Sequence, residues 1–211
     1  MAVVAVIGGI FLVSSSYLSA KKDKVYDNVA FEIYDAEVLN NLENITGEDV
    51  SSSSPNDVND DVNDDVNDNK GGTSTINSQK NSYIGTVEIP KINLKKGFVD
   101  PSSKYNDIEY NVTILEGSEF PDVENGNFIL AAHSGTGVKA YFKDLYKLSN
   151  GDQVKVSYKG KTYTYKIVKI YTQKKQGYLT IYRNSKKTTL TLITCTKDNK
   201  KLQTVYVAEK V

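Results

Sequence analysis

Apolar residues change their spacing three times along this chain. Ala2 to Val13, in "MAVVAVIGGIFLV", is apolar throughout; small and hydroxylic residues follow to Ala20, and then Lys21, Lys22 and Lys24. With the serines included this is about one membrane span. Residues 1–20 are therefore expected to be a membrane anchor or a signal-like segment, with a buried core segment as the bland alternative. No Lys or Arg precedes the apolar run, which is odd for an anchor and for a signal peptide alike. We expect an upstream basic segment to be missing, because the positive-inside rule read literally would otherwise hold everything after the lysines in the cytoplasm. Residues 21–50 contain "VYDNVAFEIYDAEVLNNLENI", apolar at roughly helical spacing, and read as a helical juxtamembrane segment. Residues 51–82 lose apolar patterning altogether. Their serine run and period-four Asn/Asp/Val repeat cannot bury enough surface to fold, and read as a disordered spacer.

From Tyr83 onward, short β-branched and aromatic runs alternate with turn residues, which is an all-β pattern. "QVKVSYKGKTYTYKIVKIY" is the clearest unit, with Val154, Val156 and Tyr158 before a Lys159-Gly160 turn and Tyr163, Tyr165 and Ile167 after it. It predicts a hairpin. "GTVEI", "NVTIL", "FILAA", "TLTLIT" and "TVYVA" predict further strands. One short helix is expected in "KAYFKDLYKLSNGD", where Phe142, Leu145, Tyr146 and Leu148 group together before Asn150-Gly151. Seven or eight strands in residues 83–211 predict a closed barrel or a sandwich.

Charge divides the chain at the same place. Residues 1–80 hold 5 Lys+Arg against 14 Asp+Glu, and residues 81–211 hold 21 against 12, so a net charge of zero conceals −9 and +9. The basic part lacks any helix-turn-helix, zinc-finger or RNP-like signature, which argues against a nucleic-acid partner; an anionic cell surface or wall suits the charge. One Cys and one His exclude a disulfide framework and a Cys/His zinc site. Asp57, Asn59 and Asp61 imitate the opening of a calcium loop, but the turn glycine and closing glutamate are missing. Asp107, Glu109 and Glu124 are acidic and available, yet read as solvated surface. No cofactor is expected.

The lone residues carry the chemical interest. His133 ends "NFILAAH" and Cys195 ends "TLTLITC", and strand ends are where side chains leave a core on a rigid frame. A free Cys is often a small core hydrophobe and a lone His a structural group. Together, after equivalent apolar strands, they could lie adjacent if those strands pair; a thiolate is the nucleophile that cysteine chemistry needs, and a nearby imidazole can take its proton or later protonate a leaving amine.

The β part resembles the sortases, the cysteine transpeptidases of Gram-positive bacteria. "YIGTVEIPKINL" is similar to that family's opening strand, "ENGNFILAAHSGTG" to its histidine strand, "YFKDLYKLSNGDQVKV" to its helix and Gly-Asp, and "TLTLITC" to its Thr-Leu-x-Thr-Cys signature. The resemblance implies a closed eight-stranded barrel over residues 83–211, with one or two short helices. It also implies a membrane-anchored enzyme, catalytic domain on the extracellular face, that cleaves a Leu-Pro-x-Thr-Gly-like sorting signal through a thioacyl intermediate. The acyl group then passes to an amine of a peptidoglycan precursor or a pilin. Cys195 would be the nucleophile, His133 the acid/base and Thr194 part of the substrate pocket, with Tyr171 to Lys187 as the loop that reads the signal.

One departure stands out. Sortases carry an arginine in the last strand, and here Gln203 takes that place in "LQTVYVAEKV". Either Gln203 is a neutral donor, or Lys201 or the single arginine, Arg183, reaches the substrate from elsewhere, or the barrel is an impaired binding or scaffold domain. An L,D-transpeptidase also uses cysteine, but its His-Gly and Ser-x-Gly-Cys signature is missing, and His133 and Cys195 stand 62 positions apart.

Overall fold

Each alternating run becomes a strand because it has one face to bury. The computed structural model describes residues 83–211; the segments expected over 1–20, 21–50 and 51–82, with Asp57, Asn59 and Asp61, lie outside the described residues. The strands are β1 (Gly85–Ile89), β2 (Leu94–Phe98), β3 (Thr113–Ile114), β4 (Asn127–Ala131), β5 (Gln153–Tyr158), β6 (Lys161–Lys174), β7 (Thr189–Thr196) and β8 (Asn199–Lys210). They form one sheet in the order β2-β1-β5-β6-β8-β7-β4-β3. The β4–β7 pair is parallel and the others are antiparallel.

The sheet curls around one apolar core. Val87, Phe98, Phe128, Leu190, Leu192 and Tyr206 are among the buried residues facing inward, and the Phe98 and Phe128 rings meet edge to face at 5.1 Å. The hairpin predicted around Lys159-Gly160 is present, with Tyr158 opposite Lys161. Both turn residues have positive φ, 49° and 70°, as a two-residue turn compatible with strand twist demands.

Three expectations change. The barrel is nearly closed rather than closed, because the hydrogen-bonded order ends at β2 on one side and β3 on the other. At the β3 edge the Asn106 amide stands in for a strand: its Nδ2 donates to the Ile114 carbonyl at 2.9 Å, and its Oδ1 accepts from the Ile114 N–H at 2.7 Å. The expected short helix is a set of turns ending in one 3-10 turn, Leu145–Lys147. The buried residues are Phe142, Leu145 and Leu148, at intervals of three, and Tyr146 is exposed; side chains at i and i+3 eclipse in a 3-10 turn, which that period suits. Finally, β2 was not among the strands predicted by alternation, because Lys95-Lys96-Gly97 breaks the pattern. Lys96 is nevertheless only 4% exposed, with its ammonium 4.4 Å from the Tyr141 ring centroid.

Gly85 is the glycine of "YIGTVEI", and it is there for space. A Cβ at this position would meet the Phe98 ring and the Ser157 carbonyl oxygen; the carbonyl belongs to the paired strand and cannot move aside. Gly85→Ala is expected to destabilise the barrel by about 1–3 kcal/mol, the usual cost of overpacking. Thermal unfolding checks this: a Tm equal to that of the unaltered protein would show that β1 can shift.

Candidate active site

The strands around β7 have a second apolar face, turned away from the barrel core. Ile129 and Ala131 of β4, Ile193 of β7, and Val205 and Val207 of β8 form a buried cluster there. Register partners in a sheet point to the same side, and so do residues two apart on one strand. Cys195 is two residues beyond Ile193 and pairs with Gln203, which pairs in turn with Gln173 of β6. The thiol therefore emerges at the end of the outer apolar strip, in line with two glutamines.

His133 reaches the same place through the parallel pair. Every β4–β7 partner is offset by 62, from Asn127↔Thr189 to Ala131↔Ile193. His133 and Cys195 keep that offset beyond the ladder. Side chains stitch the register at both ends. At one end the Thr189 and Thr191 hydroxyls each donate to Asn127 Oδ1 at 2.9 Å. At the other, Thr194 Oγ1 donates to the Ala132 carbonyl at 2.8 Å and Ser134 Oγ to the Cys195 carbonyl at 2.7 Å, while the Ala132 N–H donates to the Ile193 carbonyl at 3.3 Å. The Phe142 N–H donates to the His133 carbonyl at 2.9 Å, tying the segment after His133 back to its start.

The imidazole has a carboxylate partner, with His133 Nε2 3.1 Å from Glu109 Oε1. The side chains are 37% and 72% exposed, so the pair orients the ring more than it stabilises the fold. Cys195 is half-buried. Its closest polar partner was not anticipated: Lys175 Nζ donates to Cys195 Sγ at 2.9 Å. The pleat explains the contact, because Lys175 is two residues beyond Gln173 and shares its face. Its N–H bonds the Lys201 carbonyl at 3.1 Å, at the point where β6 leaves the sheet. The adjacent lysines 174 and 175 are indistinguishable in sequence; only the β6–β8 register shows which one faces the thiol.

The segment from Lys175 to Thr188 lies along the outer strip, where Leu179 and Ile181 pack on the second cluster. Gln173 clamps it through Thr180, its Nε2 donating to the carbonyl at 3.3 Å and its Oε1 accepting from the N–H at 3.2 Å. The Tyr171 hydroxyl donates to the same carbonyl at 2.7 Å and accepts from the Tyr182 N–H at 3.0 Å.

Of the residues singled out from sequence, the structure brings Cys195 and Gln203 to one end of one face, and His133 follows β4 at that same end. Thr194 supports them from the opposite face, its hydroxyl engaged with Ala132. Lys201 contributes backbone, holding Lys175, and among the described residues its side chain makes no hydrogen bond or ion pair. Arg183 is not brought to the thiol: its Nη1 donates to the Asn125 and Lys187 carbonyls at 3.0 and 3.3 Å, at the opposite end of β7. There it lines a shallow pocket with Lys169, Tyr182, Asn184, Val207 and Glu209. Among the described residues, no three His, Cys, Asp or Glu side chains converge where a metal ion could be held. Among them also, no helix is long and apolar enough to cross a membrane.

A thiol, an imidazole and an ammonium at the end of an apolar strip can form a thiolate, attack an acyl carbon and protonate a leaving amine. Comparison with known proteins gives a consistent answer. The Sortase domain family model matches residues 87–211. Sortase D of Bacillus subtilis (strain 168) is 33% identical over 111 residues, covering 53% of this chain and 53% of that protein; the chain thus spans about half the length of the curated relative it matches. Among solved structures, Streptococcus agalactiae sortase C1 in complex with MTSET superposes with a TM-score of 0.55 at 25% identity, over 61% of this chain and 69% of the other. A Clostridium perfringens Sortase D5 transpeptidase does so with a TM-score of 0.52 at 27% identity, over 62% and 79%.

Proposed function

Since the chain belongs to the sortase family, we propose that it is a cysteine transpeptidase, anchored in the membrane by its N-terminal segment, with residues 83–211 as the catalytic domain on the outer face of the cell. The substrate is a surface protein bearing a Leu-Pro-x-Thr-Gly-like sorting signal, and the acceptor is an amine of a peptidoglycan precursor or a pilin. The observation that supports this reading is the β4–β7 register with the bonds just beyond it, from Thr194 Oγ1 to the Ala132 carbonyl and from Ser134 Oγ to the Cys195 carbonyl, so that the backbone carrying His133 runs alongside the end of β7 that carries Cys195.

The reaction follows from the groups present. Cys195 gives its proton to His133, and the thiolate attacks the carbonyl carbon of the Thr-Gly bond. The carbon–nitrogen bond breaks as the His133 imidazolium protonates the departing amine, leaving a thioester on Sγ. The incoming amine loses a proton to His133, bonds to the same carbon and expels the thiolate. Backbone N–H groups and the Gln203 amide are the neutral donors for the oxyanion. An apolar strip suits the Leu-Pro end of such a signal.

The Gln203 substitution favours one other reading, a barrel that binds sorting signals without turning them over. Incubation of the protein with a panel of Leu-Pro-x-Thr-Gly-like peptides, followed by intact-mass spectrometry, separates the two. A thioacyl adduct on Cys195 is expected. Peptide binding with no adduct at any sequence would leave the scaffold reading standing.

A further inference from the structure

The geometry points to Lys175 as a catalytic residue that supplies, from the end of β6, the positive charge that β8 lacks. This rests on the reading of Cys195 as the nucleophile. In β8 the position paired with Cys195 is Gln203, a neutral donor, and the chain's single arginine is held at the far end of β7 by the carbonyls of Asn125 and Lys187. Lys175 is the cation that touches the reacting atom, Nζ to Sγ at 2.9 Å. Its placement is built rather than incidental. The Lys175 N–H is bonded to the Lys201 carbonyl, one step beyond the last β6–β8 partners, Lys174 and Leu202. Alternation puts its stem on the face of Gln173, Gln203 and Cys195, and the positive φ of Gly177, 77°, turns the chain away two residues later.

An ammonium in this position stabilises the thiolate through a charge-assisted hydrogen bond. It transfers no proton, since His133 does that. When Sγ becomes the thioester sulfur its charge is gone, and the ammonium is left beside the acyl carbonyl, where it donates to the oxyanion that forms with each attack. Arginine and lysine differ in shape but share the charge that this step needs, so the charge has moved to a neighbouring strand rather than been lost.

The test is the rate at which Cys195 of the full chain is alkylated by iodoacetamide at neutral pH and low ionic strength, followed by mass spectrometry. The reagent is neutral and needs no sorting signal. Lys175→Met keeps the length of the stem and removes the charge; it is expected to slow alkylation about fivefold to tenfold, less than a buried charged hydrogen bond would give because Lys175 is exposed. Lys175→Arg should remain within about threefold of the unaltered protein. Lys174→Met, one residue away on the other face, should match the unaltered protein. Adding Gln203→Arg to Lys175→Met should restore most of the loss. Equal rates for Lys175→Met and the unaltered protein overturn the assignment, as does an equal loss in Lys174→Met, which would reduce the effect to net charge. Peptide acylation is then measured in the same proteins. If Lys175→Met slows alkylation but no peptide acylates the unaltered protein, the charge of Lys175 on the thiol stands and its catalytic role falls with the transpeptidase reading.

Discussion

Cys195→Ala is expected to abolish thioacyl adduct formation and peptide cleavage together, with the Tm unchanged to within about 3 °C. The chain has one cysteine, so no second thiol can take over, and removal of a covalent nucleophile costs on the order of 10⁶ in rate where it has been dissected. The stability half of the expectation comes from the surroundings. Cys195 is half-buried, its strand is held by backbone pairing to Gln203, and its carbonyl keeps the Ser134 hydroxyl whatever the side chain. Lys175 loses a partner but is exposed, so water replaces the sulfur at little cost. Peptide cleavage by the alanine variant, checked by chromatography beside intact-mass spectrometry, would rule out a covalent mechanism at this residue. A fall of 10 °C or more in Tm would instead make Cys195 part of the core.

The candidate residues of this site were legible further than its geometry. "TLTLITC" and "NFILAAH" announced two polar residues after apolar strands, because a strand that buries both faces reads as nearly continuous apolar sequence and its end is conspicuous. Which face each residue takes was not legible, since it depends on partners: β7 lies between β4 and β8, and only the β7–β8 register shows that Cys195 and Gln203 share the outer side. Arg183 illustrates the limit. It sits in the loop where a signal-reading cation was sought, and tertiary contacts fix it to the opposite end of β7. Lys175 illustrates the converse, hidden in a Lys-Lys pair whose two faces are separated only by pairing with β8. The strand limits were blurred for a similar reason. β8 runs from Asn199, well before the apolar "TVYVA", because exposed polar residues extend a strand when a neighbour supplies the ladder.

His133→Ala is expected to lower turnover by at least about a hundredfold, within the usual range for general acid–base catalysis. Both half-reactions should suffer, since one imidazole protonates the leaving amine in the first and takes the proton of the incoming amine in the second. His133 is the only histidine, and no carboxylate contacts the thiol among the described residues, so the variant has no internal replacement at hand. Glu109 sets the contrast. It is the exposed partner of His133 Nε2 at 3.1 Å, and an exposed pair is worth about 0–1 kcal/mol. Glu109→Gln, which still offers an oxygen to the ring, should therefore lose no more than about fivefold. The comparison is made by single-turnover measurement of acylation and of release to an added amine, in both variants. A loss of tenfold or less in His133→Ala would assign the ring to the fold alone. A loss in Glu109→Gln as large as that in His133→Ala would mean that the carboxylate fixes the ring's working orientation, and that this exposed contact is a part of the catalytic machinery.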